Sequence, residues 1–294
     1  MLYLILSILS SSLLVLAFKV FERTRTPIFQ AIVFNYLSAT LCAYLFLPNK
    51  SSFATGEIWT NSWLSFSLLL GSLFITVFNL ISIATVRYGV STASVAMKLG
   101  LVFPVLLAFT IYGEEFNWMK LVGILLAFVA VVLSSIRDAP MHQTHKSSFA
   151  VLPFFIFAGS GLCDSLTQLA NKKYVAQTGM EEFSFFLFAA AATLGTLIFA
   201  FQLSRKKTSF HWKSLVGGVV LGIVNYFSFL FMLKALATVS WGSSVVFPLS
   251  NLGTVACASL AGILIFREKI SLTNAVGLIF AVLAIALIVG AHYL

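Results

Sequence analysis

Ten stretches of this chain are apolar for about 20 residues at a time, the length an α-helix needs to cross the hydrocarbon of a bilayer. They run at roughly 2–21, 28–47, 63–86, 91–112, 118–136, 149–171, 182–203, 214–236, 242–266 and 271–291. In lipid a segment must satisfy its own backbone N–H and C=O groups, so runs of this length fold as helices. Charge agrees with that reading. Only 9% of the 294 residues are Asp, Glu, Lys or Arg, 60% are hydrophobic and the mean hydropathy is +1.02, whereas a soluble domain is about 25% charged. The net charge of +9 does not point to nucleic acid, because the basic residues stand in short clusters between apolar runs, the pattern that orients membrane helices. Cys42, Cys163 and Cys257 lie inside apolar runs and read as small buried residues, with neither a disulfide framework nor metal-ligand spacing. The first run, MLYLILSILSSSLLVLAFKVFE, has its basic residues after the apolar part, so it reads as an uncleaved span rather than a leader.

The two halves resemble each other. Glu114–Ser134 aligns with Glu268–Ile288 at an offset of 154, with identities Glu114/Glu268, Val122/Val276, Gly123/Gly277, Ala127/Ala281, Ala130/Ala284 and Leu133/Leu287. Upstream, YGVSTASVAMKLG and VSWGSSVVFPLSNLG align with a gap of a few residues. The expected organisation is a first five-span repeat over 1–136, a polar linker over 137–148 and a second repeat over 149–294. Five is odd, so the second repeat enters the membrane from the opposite side. The fold class expected is therefore an all-α membrane protein of ten transmembrane helices in two inverted five-helix repeats, an architecture that places substrate sites near the midplane.

Connections after odd-numbered spans hold twelve basic residues: Lys19, Arg23, Arg25, Arg87, Arg137, Lys146, Arg205, Lys206, Lys207, Lys213, Arg267 and Lys269. Those after even-numbered spans hold five: Lys50, Lys120, Lys172, Lys173 and Lys234. The excess puts the odd connections in the cytoplasm and both termini outside.

With the duplication in place, the chain resembles the drug/metabolite transporter superfamily, in particular its ten-span EamA-like members. The carriers are the 5+5 repeat, the STAS-to-VFPV fourth span (Ser91–Val105) and the pair Gly113–Glu114 leading into the fifth span. The second half departs from the pattern: Arg267 stands where the family favours glycine before Glu268, and Pro248 is not at the position equivalent to Pro104. The resemblance implies transport of small metabolites, often export, of amino acids, sugars or related compounds through a central cavity. It implies no particular ligand residues.

Polar groups inside the spans mark the candidate site. Lys98 is a basic residue well inside a span, where insertion costs about 2.5–3.5 kcal/mol. It stands seven residues from Ser91, about 10 Å at the helical rise, so snorkelling is the competing reading. Span six shows Ser160, Asp164, Gln168 and Asn171 on one face, beside Thr167. That face needs protein or a wet cavity, not lipid. Asp164 is the acid within the spans, and it reads either as cavity lining with a proton role or as part of an interhelical hydrogen-bond face. A Lys98–Asp164 pair is opposed by depth, since Asp164 counts about 22 Å from its cytoplasmic end. Span three adds Ser72, Thr76, Asn79 and Arg87; span two Asn35, Ser38 and Cys42; span eight Asn225 and Ser228; span nine Ser243, Ser244, Ser250, Asn251 and Thr254. Each alone is interhelical glue as readily as ligand. Together they suggest one cavity, with Tyr36, Tyr226 and Trp241 as aromatic walls. The substrate-binding set expected is Lys98, Asp164, Gln168, Asn79, Asn35, Tyr36, Asn225, Tyr226, Trp241 and Asn251. Spans five and ten carry Gly123/Ala127 and Gly277/Ala281 at small-xxx-small spacing, for packing within the chain or for a dimer. His142 and His145, in a polar loop without supporting ligands, read as solvated.

The function expected is secondary transport of a small molecule, with a coupling proton as a further partner, in a bacterial cytoplasmic (inner) membrane, as a monomer or homodimer and without a cofactor or metal. No G-x-x-x-x-G-K-[ST] occurs, so ATP drive would need another subunit. Competing classes are a membrane enzyme acting on a lipid or isoprenoid, which wants clustered acids or histidines, and a non-transporting receptor or scaffold.

Overall fold

A computed structural model describes residues 1–48, 50, 59, 61, 63–88, 96–114, 117–135, 151–175, 179–266 and 272–291. Among these it is all helix and no strand, and ten helices match the ten apolar runs: α1 (Leu2–Thr24), α2 (Ile28–Leu45), α3 (Trp63–Tyr88), α4 (Val102–Thr110), α5 (Trp118–Ser135), α6 (Val151–Ala170), α7 (Met180–Ser204), α8 (Trp212–Thr238), α9 (Ser243–Phe266) and α10 (Leu272–Gly290). Six of them are long and apolar enough to cross a bilayer by length and composition: α1, α2, α3, α7, α8 and α9. Shorter apolar helices span Ala96–Thr110, Trp118–Leu133 and Ala275–Gly290. The polar face of α6 dilutes its apolar content, and its end widens into a π-helical turn, Asn171–Val175. The linker 137–148 with His142 and His145, and Ser91, Arg267 and Glu268, lie outside the described residues, as does the side chain of Arg87.

The helices pack as two compact units. Unit 1 holds 1–79 and 166–238, and unit 2 holds 80–165 and 239–294. Each draws on both halves of the sequence. Equivalent helices of the two halves pack together: α2 with α7 in unit 1, and α4 with α9 and α5 with α10 in unit 2.

In unit 1, short hydroxyl side chains join the helices. Ser7 Oγ donates to Ser228 O (3.3 Å), Ser11 and Ser228 hydroxyls bond each other (2.7 Å), and Ser38 Oγ donates to Val219 O (2.9 Å). Tyr36 and Tyr226 are fully buried and meet through Phe188, at ring distances of 6.2 and 6.4 Å. They fill the α2–α7–α8 core; the sequence reading had offered them as cavity walls. The Ser72 and Thr76 hydroxyls donate to carbonyls of their own helix, Leu68 O and Ser72 O (both 2.8 Å), so these two satisfy themselves locally.

In unit 2, α5 and α10 run antiparallel. A side chain at Gly123 would meet Leu287 and Ile288, and one at Gly290 would meet Met119. Ala127, Ala130, Ala281, Ala284 and Ile288 are fully buried. The small residues repeated in spans five and ten thus serve close packing inside this unit. No disulfide joins Cys42, Cys163 or Cys257.

Candidate functional site

The fourth span does not rise as one straight helix. Residues 96–99 are helical, a turn follows at Gly100 and Leu101, and α4 resumes at Val102. Tight i→i+3 bonds close the break: Gly100 N to Met97 O (3.2 Å), Leu101 N to Lys98 O (3.3 Å) and Phe103 N to Gly100 O (3.0 Å). Pro104 has no N–H to give the Gly100 carbonyl. That carbonyl is satisfied by Phe103 N–H instead. Gly100 lies against Gly161 of α6, where an added Cβ on Gly100 would sit 2.7 Å from Gly161 N, and one on Gly161 would sit 2.8 Å from Gly100 O. Ser160 Oγ adds a bond to Met97 O (3.0 Å). Only glycine at both positions lets the two backbones approach so closely.

This crossing sets Lys98 beside α6. Asp164 is one turn beyond Ser160 on α6. The depth difference that opposed the pair came from counting each span from its own end; the crossing brings the two residues to neighbouring levels. The ammonium's hydrogen bond, however, goes to α9: Lys98 Nζ donates to Asn251 Oδ1 (2.7 Å). Asn251 Nδ2 donates to Phe247 O (3.2 Å), one turn earlier. A lysine offers only donors, so the carboxamide turns its oxygen to Nζ and its NH2 to the carbonyl. Lys98, Asp164 and Asn251 each keep part of their surface accessible. An ammonium has three donors, and Asn251 takes one, which leaves capacity for an anionic ligand.

The sequence reading named both Lys98 and Asn251 without pairing them. A signal was present. Lys98-Leu99-Gly100 and Asn251-Leu252-Gly253 are the same step of the two repeats, offset by 153. Equivalent positions of two antiparallel helices that pack together come face to face, and here they hydrogen-bond.

The other end of the α4–α9 pair is held by Glu114. Its Oε1 accepts from Ser243 N (2.8 Å) and Ser243 Oγ (2.7 Å), and its Oε2 from Ser244 N (3.2 Å) and Ser244 Oγ. A carboxylate thus closes the N-terminus of α9, where free N–H groups and the helix dipole favour negative charge. Lys120 Nζ lies 3.6 Å from Oε2. Gly242 has φ +80, and a side chain there would run into the carboxylate. Burial pushes this carboxyl up, but the bonds from Ser244 and Ser243 outweigh it and hold it below its ordinary range. The Gly113–Glu114 pair had been read only as a family marker; its chemistry is a cap.

The remaining candidates divide between the units. Trp241 is half-buried in the turn before α9, at the Glu114 end of that helix rather than at the Asn251 level. Asn35, Tyr36, Asn79, Gln168, Asn225 and Tyr226 belong to unit 1. Asn35, Gln168 and both tyrosines are buried, while Asn79 and Asn225 are half-buried. The two ends of the α6 polar face are structural glue: Ser160 on Met97 O, and Asn171 Nδ2 on Leu233 O (2.8 Å).

Residues 1–136 and 151–290 both match the EamA-like transporter family. The chain belongs to the EamA-like transporter family. EamA-like chains are membrane transporters, and the multi-pass helices described above are those of an integral membrane protein. A Haemophilus influenzae protein described as an uncharacterized protein is 30% identical over 286 residues, covering 96% of this chain and 95% of its own. A solved structure, described as the crystal structure of a protein, shares the fold with a TM-score of 0.74 at 16% identity, over 99% of this chain and 97% of that one.

Proposed function

We propose that this EamA-like protein is a secondary transporter that exports a small carboxylate-bearing metabolite, such as an amino acid, by alternating access around a central cavity. On this reading ten helices cross a bacterial inner membrane as two inverted repeats, 1–136 and 149–294, joined by 137–148. The antiparallel packing of α5 on α10 supports the inversion. The observation that carries the substrate class is the Lys98 ammonium, kept inside a span, oriented by Asn251 and left with donors to spare. The test is a thermal-shift screen of the purified protein against small carboxylates and their neutral amides. A ligand at one hundred times its Kd adds about 2.7 kcal/mol of stability. Stabilisation by carboxylates and not by their amides is expected; stabilisation by the amides alone refutes the anion site.

Two further outcomes follow from the same reading. Both termini lie outside, so a reporter fused at Leu294 reads as external and one in the 205–213 loop as cytoplasmic; a cytoplasmic C-terminus overturns this orientation. Asp164 carries the coupling proton. Asp164→Asn is expected to leave folding intact and to flatten the pH profile of transport in proteoliposomes. An unchanged profile would reduce Asp164 to a hydrogen-bonding residue.

A further inference from the structure

Among the described residues, only two non-glycine positions have positive φ, Arg25 (φ 52) and Lys206 (φ 53), and both are basic. Arg25 directly follows α1, and Lys206 stands two residues past the end of α7. Thr26 N bonds Phe21 O (2.9 Å) and Arg25 N bonds Glu22 O (3.3 Å) at the end of α1; Lys207 N bonds Gln202 O (3.0 Å) and Lys206 N bonds Leu203 O (3.0 Å) at the end of α7. This is the Schellman pattern, whose left-handed position favours glycine. A long basic side chain held in that position, twice, calls for a role beyond the backbone turn. A cation at a helix C-terminus answers the dipole, but any of the last turn's positions would serve that purpose without strain.

The two turns lie at the same end of unit 1. Gln30, at the start of α2, ties them: its Nε2 donates to Thr208 Oγ1 (2.9 Å) and Ser209 O (2.6 Å), and its Oε1 accepts from His211 N (3.1 Å). Ser214 Oγ donates to Pro27 O (3.2 Å). The Thr24 and Thr26 hydroxyls bond across the first turn (2.7 Å). Fixed in this way, the turns present Arg25, Arg205, Lys206, Lys207 and Lys213, all exposed. Glu22 is the acid at this end among the described residues. In the same loop Phe210 is 51% and Trp212 68% exposed. Basic residues at the ends of apolar helices, with aromatic rings beside them, stand at the depth of lipid headgroups.

We propose that the basic turns of unit 1, Arg25 and Arg205–Lys207, form a docking surface for the headgroup phosphate of an anionic phospholipid. The lipid's tails run beside the exposed Leu197 and Phe201 of α7. A zwitterionic headgroup brings its own cation and gains little here. The reading is independent of the transported substrate.

The test is titration of the purified full chain with phosphatidylglycerol and with phosphatidylcholine, read by native mass spectrometry. The native protein is expected to retain phosphatidylglycerol in preference. In Arg25→Gly/Lys206→Gly the turns take the residue they favour, so the melting temperature in detergent holds or rises. Phosphatidylglycerol affinity nevertheless falls about fivefold per charge removed, roughly 25-fold in all. Lys172→Gln/Lys173→Gln removes equal charge at the other end of unit 1 and is expected to leave retention unchanged. Equal retention of the two lipids by the native protein, or an equal loss in the Lys172/Lys173 control, overturns the proposal and leaves the cluster as a topology signal alone.

Discussion

Replacing Lys98 with methionine is expected to abolish the stabilisation by carboxylates and transport of the ligand that causes it. The effect is large because the lost contact is charge-assisted. Truncating one partner of a buried charge pair costs about 2–5 kcal/mol, two orders of magnitude or so in affinity. Methionine keeps the length and removes the insertion cost of the ammonium. It also strips Asn251 Oδ1 of its donor and removes the cation that stands beside α6, the helix of Asp164. A fall in stability could therefore mimic a fall in binding. Lys98→Met/Asp164→Asn separates the two, since it removes both charges: this variant should fold like the native protein and still fail to bind carboxylates. Lys98→Arg should recover little, because a planar guanidinium does not place a single donor on Asn251 as a compact ammonium does. Binding by Lys98→Met at native affinity would mean that the lysine only snorkels.

Glu114→Gln is expected to lower stability by about 2–3 kcal/mol, the sum of a lost helix cap and weaker bonds to Ser243 and Ser244. An amide has one acceptor oxygen where the carboxylate has two, so half of the clamp loses its acceptor. The pH dependence identifies the cause. The carboxyl is held below its ordinary value in the folded protein. Its contribution is therefore complete above the unfolded-state pKa of about 4.3 and is lost as the pH falls through the lower, folded-state value. The gap in melting temperature between native protein and Glu114→Gln should be constant near neutrality and close on strong acidification. A gap that does not change with pH would assign the loss to shape rather than charge. Asn251 lies eight residues from Ser243 on α9, about 12 Å along the helix, so a frayed cap is also expected to loosen the partner of Lys98.

Much of the molecule was legible in the sequence. The runs at 242–266 and 271–291 fold as Ser243–Phe266 and Leu272–Gly290, because apolar length is a local property that bilayer thickness alone interprets. The repeated small residues of spans five and ten announced close packing, and Gly123, Ala127 and Ala281 deliver it. The candidate residues were harder to rank. Tyr36 and Tyr226 looked like Trp241, an aromatic amid polar neighbours, but the first two are core and the third lies in a half-buried turn. Local sequence does not say whether a ring faces a neighbouring helix or an opening.

The sequence by itself determined the membrane class, the helices, the duplication and the identity of the charges set within apolar runs. These follow from hydropathy, length and composition, which act residue by residue. The tertiary structure alone decided which charge meets which partner. The Gly100–Gly161 crossing, the break at Gly100–Leu101 and the antiparallel α4–α9 pairing set the relative height of Lys98, Asp164 and Asn251. Such heights depend on where two backbones can touch, and that is a property of helix pairs rather than of either helix alone.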